Sequence, residues 1–282
     1  MSEEKGLLEI VNEFLRSGKV ELPAYDLTCQ RIRQEIGKND PNIKDIEKMI
    51  ISDQALTAQV LRVANSAFYS GLKKISTVRD AMIRLGTNEI ANIVTIISQG
   101  KNYQAKDPFV AGLMEKLWQH SVACAAGAQW LAQLANLRNL LNEAFLAGLL
   151  HDVGKLFLLT VIENLKVSGK LSFPLNEDLV NQTLTDLHTE SGHSLLKNWN
   201  LPEIYSGVVR DHHADKFDAN DDLLVIVRLV DQACLKNGLG LRHDPSIVLA
   251  AVPEAGTLGL SEVTIAELEI KLEDSLDLAN YR

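Results

Sequence analysis

The sequence predicts an all-α protein. Apolar residues recur at spacings of three and four along almost its whole length, as at Ile46, Met49 and Ile50 or Leu113, Leu117 and Val122, whereas strict alternation is hard to find. The seven prolines fall where helices begin or stop: Pro23, Pro41, Pro108, Pro174, Pro202, Pro245 and Pro253. None interrupts a strong helical pattern. There is no heptad series, low-complexity tract or repeat of fixed period.

With 282 residues, 46% of them hydrophobic and 23% charged, the chain suits one large or two medium globular domains. Polarity rises at "GKNYQAKDPF", residues 100 to 109, which marks a division between two apolar helical regions. Ahead of it, "DQALTAQVLRVANSAFYSG" reads as a helix ending near Asn65 and Ser66, both suited to closing helices. At the other end, "SEVTIAELEIKLEDSLDLANYR" reads as an acidic helix capped by Ser261 that packs on the body. The expected parts are an N-terminal helical part over 1–105, a second helical part over 106–240 and a helical extension over 241–282.

Cys29, Cys124 and Cys234 lie far apart and are odd in number, so neither a disulfide framework nor a cysteine-based zinc site is expected. This usage fits a reducing cytoplasm. The start, "MSEEKGLLEIVNEFL", lacks the basic and apolar regions of a signal peptide, and no stretch is expected to supply the roughly 18 apolar residues of a membrane span. No membrane partner is expected. A net charge of -9 disfavours a nucleic-acid partner.

The polar residues that break the apolar stripes carry the chemistry. In "LLHDVGKLFLL", residues 149–159, His151, Asp152 and Lys155 stand in a run where almost every neighbour is apolar, and burying such groups without partners costs several kcal/mol. A buried Asp–Lys pair beside a histidine bonded to backbone would account for this segment alone. His120 continues the stripe of Leu113, Leu117 and Cys124, and His188 shares a face with Leu184 and Leu195, with Gly192 allowing close backbone approach. His212 and His213 close a helix that begins at Pro202, where a helix dipole favours them. Asp231 follows Leu224 and Val227, with Arg228 placed to pair with it. His193 reads as a surface or capping residue, and His243–Asp244, before Pro245, as a solvated turn. Each segment has its own structural explanation, but one centre explains them together: imidazoles and carboxylates around a divalent cation in a helical core.

The pattern H, HD, H, HH, D resembles the HD superfamily of metal-dependent phosphohydrolases. More closely, about residues 20 to 235 resemble an HDOD domain protein, through "LPAYDLTCQRI", "DQALTAQVLRVANSAFYS", "ISTVRDAMIRLG", "LWQHS", "LAGLLHDVGKLFL", "HTESGHSLLKNWNLP" and "HH". The resemblance implies an N-terminal helical bundle packed against an HD-like bundle over 106–240, and a part in bacterial signal transduction through contact with a signalling protein. HDOD members often lack some HD ligands. This chain keeps all seven positions of the related HD-GYP phosphodiesterases: His120, His151, Asp152, His188, His212, His213 and Asp231. In that arrangement Asp152 bridges two cations, with His120, His151 and Asp231 on one and His188, His212 and His213 on the other. Lys155 matches the lysine of the HDxGK segment that contacts substrate phosphate, so Asp152 and Lys155 are the catalytic candidates. "DHHADKFD" stands where the Gly-Tyr-Pro loop would be, which argues against cyclic-di-GMP as substrate. The donor set suits one or two ions of iron, manganese, zinc, nickel or cobalt. The expected function is an HDOD-type regulator with a His/Asp metal site that acts on a nucleotide or other phosphate ester; the alternative is a metal-free, inactive interaction scaffold.

Overall fold

A computed structural model describes residues 6–17, 23, 25–38, 40–69, 71 and 74–281. Residues 1–5 of the stretch read for a leader lie outside the described residues. Among those described there is no strand, and the α-helices run α1 (Leu7–Arg16), α2 (Leu27–Ile36), α3 (Ile43–Ile51), α4 (Gln54–Ala64), α5 (Val78–Leu85), α6 (Thr87–Gly100) and α7 (Pro108–Leu134). They continue with α8 (Leu141–Leu150), α9 (Val153–Val167), α10 (Glu177–Asn198), α11 (Glu203–Asp211), α12 (Asp222–Asn237), α13 (Pro253–Thr257) and α14 (Glu262–Ala279).

Local chemistry sets the helix ends. Asp107 accepts the backbone N–H groups of Phe109 and Val110 at the start of α7, where Pro108 occupies a position that needs no donor. Asp221 and Ser261 cap α12 and α14 in the same way. Asn65 closes α4: its Nδ2 donates to the carbonyls of Leu61 and Ile75, and its Oδ1 accepts from the N–H of Ile75.

Helices α2 to α6 pack on one another as an N-terminal bundle. The second bundle is built around the 27-residue α7, which meets α8, α9, α12 and α14 and is therefore apolar on nearly every side. The two bundles share a continuous apolar core that includes Leu7, Ile93, Leu117, Phe145, Leu158 and Leu278. α1 lies on α9 and α10, and the Trp199 indole donates to the Pro23 carbonyl at 2.9 Å. α14 packs on α7, where the Trp118 indole donates to the Ala279 carbonyl at 2.9 Å.

One expectation is corrected. Residues 138–167 are long enough to cross a bilayer and include an 18-residue window apolar enough to do so, but 89% of that window is buried inside the fold. Its apolarity is that of core helices, since α8 packs on α7 and α9 on α10, with His151 and Asp152 at the break between α8 and α9.

Two close crossings hold that junction. A Cβ at Gly148 would lie 2.5 Å from the Cys124 carbonyl oxygen, so only glycine lets α8 rest this closely on α7. A Cβ at Gly154 would lie 1.9 Å from the His188 carbonyl oxygen, so α9 meets α10 backbone to backbone, with Gly192 opposite. Gly154→Ala is expected to destabilise the fold by about 2 kcal/mol or more, because backbone on both sides must move. Gly207→Ala on α11, where nothing lies within 4 Å, is expected to stay within about 1 kcal/mol of the parent. Urea midpoints of the two variants check this, and equal shifts would contradict it.

Candidate metal centre

The chain brings its scattered polar residues to one place. His120 comes from the middle of α7, His151 and Asp152 from the turn between α8 and α9, Lys155 from the first turn of α9, and His188 from α10. His212 and His213 follow the end of α11, and Asp231 lies on α12. His120, His151, Asp152, His188 and His212 are buried, Asp231 is half-buried, and His213 is exposed at the rim.

Four imidazoles are anchored alike. Nδ1 lies 2.9 Å from the Leu239 carbonyl in His120, 2.8 Å from Gly148 in His151, 2.8 Å from Leu184 in His188 and 2.9 Å from Val209 in His212. A carbonyl only accepts, so each Nδ1 carries hydrogen and each Nε2 points inward. The Nε2 atoms of His120 and His151 are 3.1 Å apart, and those of His188 and His212 are 3.4 Å apart. Neutral rings with this tautomer cannot hydrogen-bond to each other through Nε2. Lone pairs facing at such distances need a proton or a cation between them.

Asp152 stands between the two pairs. Its Oδ2 lies 3.2 Å from His120 Nε2 and 3.5 Å from His151 Nε2, while its Oδ1 lies 3.5 Å from the Nε2 of both His188 and His212. Asp231 Oδ1 is 3.3 Å from His120 Nε2 and 3.7 Å from His151 Nε2. Asp152 Oδ1 is fully buried and has no hydrogen-bond partner. Donors about 2.0 to 2.2 Å from a common cation lie about 3.0 Å apart at octahedral angles and about 3.4 Å apart at tetrahedral ones. The spacings match that range, and the donors form two groups able to hold an ion: His120, His151 and Asp231 with Cys124, and Asp152 with His188, His212 and His213.

Electrostatics agree with the geometry. Burial resists ionisation of Asp152, but Lys155 at 2.6 Å and the surrounding imidazoles hold its pKa well below the usual carboxylate range. Asp231 is held low against its burial by the imidazoles of His120 and His151 beside it. Burial pushes His188 down to about 3, and the partly covered ring of His213 is lowered to about 4 by the burial it has and by His212 beside it. Burial opposes charge on His120 too, yet its bonds to Asp152 and Asp231 outweigh this and hold the ring well above the ordinary imidazole value.

Several sequence expectations are corrected here. The periodic apolar run does not show that the His–Asp pair stands at a break between two helices, where adjacent residues can address one centre without the divergence a helix imposes. The Asp–Lys pair weighed for this segment is present, with Lys155 Nζ 2.6 Å from Asp152 Oδ2. Arg228 does not pair with Asp231: its Nη1 donates to the His212 carbonyl at 2.8 Å and the Ala214 carbonyl at 3.0 Å, and its Nε to buried Glu254 at 2.7 Å. It thereby fixes the turn that carries His212 and His213. The cysteines, far apart in sequence, are not all apart in space, since Cys124 Sγ lies 3.6 Å from Cys234 Sγ and 3.7 Å from His120 Nε2. His193 is half-buried and bonds to the Ser206 carbonyl. Exposed Asp244, by contrast, binds Ser246 in a turn, in line with its reading.

An all-helical body with a His/Asp cluster between facing helices defines a protein of the HD type. The HDOD domain profile matches residues 22–215, and the chain belongs to the HDOD domain family. It is similar to an HDOD domain protein of unknown function from Geobacter sulfurreducens, at 26% identity and TM-score 0.75 over 97% of both chains. A Shewanella amazonensis protein, whose name gives metal-dependent phosphohydrolase as a provisional activity, shares the fold at 20% identity and TM-score 0.70 over 98% of both chains. A Marinobacter aquaeolei protein, provisionally named for signal transduction, shares it at 23% identity and TM-score 0.68, over 99% of this chain and 61% of that one. The chain spans 38% and 19% of the length of the curated relatives it matches.

The protonation pattern generates a pH prediction. At neutral pH His188 and His213 are already free of a second proton, whereas His120 holds one that an incoming cation must displace. Binding of a divalent ion is therefore expected to release about one proton and to weaken about tenfold for each pH unit below the His120 pKa. Calorimetric titration with manganese in buffers of differing ionisation enthalpy measures the release. Affinity that stays flat between about pH 6 and pH 8, with no proton released, would contradict it.

Proposed function

We propose that the chain is an HDOD-type signalling module whose His/Asp centre holds one or two divalent cations and hydrolyses a phosphate ester. The observation that carries the reading is the convergence of four backbone-anchored imidazoles on Asp152, whose buried Oδ1 has no donor. His120, His151 and Asp231 would hold one ion, His188, His212 and His213 a second, and Asp152 would serve both. This donor set suits iron, manganese, zinc, nickel or cobalt. Bound cations supply Lewis acidity, offsetting charge on phosphoryl oxygens and making a water acidic near neutral pH.

The chain's own residues do the rest. Lys155 gives one N–H to Asp152 and has others to steady a phosphoryl oxygen. In the reaction a water oxygen bonds to phosphorus as the bond from phosphorus to the alcohol oxygen breaks. The released electron pair goes to the alcohol oxygen, which receives the proton the water loses. The apolar side chains of Leu117, Leu184 and Leu239 line the approach and keep bulk water from it. The names of the Shewanella and Marinobacter neighbours are in keeping with a phosphohydrolase that serves signalling.

Metal analysis of protein purified without an affinity tag tests the reading. At least one equivalent of a transition metal is expected, with its loss in folded His151→Ala and Asp152→Ala. Phosphate-ester turnover by the loaded protein is expected to fall at least about a hundredfold in Asp152→Ala. A folded parent that takes up no metal would point to the interaction scaffold instead.

A further inference from the structure

A second cleft opens where the N-terminal bundle meets the other one, and none of the donors of the His/Asp centre lines it. It holds about 380 Å³, within the range of small-molecule sites, roughly 300 to 1,000 Å³. Tyr25 ahead of α2 and Arg33 on it form one wall, and Glu143 and Leu146 of α8 with Leu201 and Tyr205, before and on α11, form the other. α8 leads into His151 and α11 into His212, so an occupant would touch two helices that present metal donors.

The Arg33 guanidinium is fixed from behind. Its Nε donates to Thr95 Oγ1 at 2.9 Å and its Nη2 to Asn92 Oδ1 at 3.0 Å, both acceptors on buried residues of α6, and it lies over the Phe145 ring at 5.8 Å. These bonds use two of the five N–H groups of a guanidinium, and the remaining ones meet no oxygen acceptor among the described residues. Glu143 is half-buried, as Arg33 is, and its carboxylate has neither an ion pair nor a hydrogen bond among the described residues. A cation and a carboxylate thus share one cleft without meeting. Burial pushes the Tyr205 phenol up to about 12, and both charges reach it, Glu143 raising it and Arg33 lowering it. Its hydroxyl stays protonated between them.

A plain anion on Arg33 would face Glu143, and a plain cation on Glu143 would face Arg33. A molecule that carries both signs answers both. The rest of the wall is apolar and aromatic: the Tyr25 ring, set against Trp199 with centroids 5.3 Å apart, together with Tyr205, Leu146 and Leu201. We infer that this cleft binds a zwitterionic amino acid with an aromatic side chain, its carboxylate on Arg33, its ammonium group on Glu143 and its ring among Tyr25, Tyr205, Leu146 and Leu201. Neither a bound metal nor turnover at the His/Asp centre is needed for this binding.

Calorimetric titration of the whole chain with phenylalanine tests it. A dissociation constant of about a millimolar or tighter is expected. 3-Phenylpropionate, which lacks the ammonium group, and phenethylamine, which lacks the carboxylate, are each expected to bind about tenfold or more weakly than phenylalanine. Glu143→Gln removes a charge that no contact of the fold uses, and is expected to weaken phenylalanine about tenfold while leaving 3-phenylpropionate as in the parent. Arg33→Lys, which keeps the charge but loses the fork, is expected to weaken phenylalanine and leave phenethylamine alone; if that variant does not fold, the two analogues and Glu143→Gln decide. His151→Ala is expected to bind phenylalanine as the parent does, which separates this cleft from chelation of the amino acid by a metal at the centre. Weaker binding of phenylalanine or none, equal binding of either analogue, an unchanged affinity in Glu143→Gln, or a lost one in His151→Ala would overturn the inference.

Discussion

The structure turns on two carboxylates, Asp152 and Asp231, held among imidazoles with a single ammonium group, Lys155, beside them. One negative charge is left over in a site of low dielectric, where an unmatched charge is strongly destabilising. Without metal, a proton on His120 supplies the balance, which explains why burial fails to neutralise that ring. A divalent cation supplies it better, because it also engages the lone pairs of the other imidazoles. The backbone carbonyls that fix each Nδ1 leave those rings no alternative orientation.

Much of the fold is arranged to keep these groups in register. Gly148 sets α8 on α7 and so brings His151 to His120; Gly154 sets α9 on α10 and so brings Asp152 to His188. The two contacts flank the His–Asp pair on either side, which makes the helix break between them a rigid joint. Arg228, backed by Glu254, ties down the carbonyls after α11, and the Leu239 carbonyl links the segment after α12 to His120. One turn of α7 past Leu117, Ser121 meets the Tyr103 hydroxyl at 3.3 Å. The connection from the N-terminal bundle is thus fastened next to a residue of the centre, within a core common to both bundles.

The helical class and the polar residues that gather at the centre were legible because both are periodic signals: apolar spacing of three and four, interrupted by histidine and aspartate on inward faces. His151, Asp152 and Lys155 stood out because a charged triplet has no inexpensive place in an apolar run. What could not be read was every relation set by tertiary distance. Arg228 has Asp231 one turn away on its helix, and nothing local shows that it turns instead to Glu254 and the end of α11. Cys124 and Cys234 are 110 positions apart and meet only because α7 and α12 pack together. The break between α8 and α9 carries no proline, and the residues on either side of His151, Asp152 and Lys155 are apolar, so no local signal marks it. For the same reason the stretch resembles a membrane span in composition while being the centre of the core.

The central claim is that these donors share a cation. It is tested most directly by anomalous X-ray diffraction from crystals of the manganese-loaded protein, with data collected on both sides of the metal's absorption edge. The account predicts a peak about 2.0 to 2.3 Å from Asp152 and from inward Nε2 atoms of at least one histidine pair. Density at the metal edge confined to surface carboxylates, with His120 and His151 still facing each other across an ion-free gap, would contradict it.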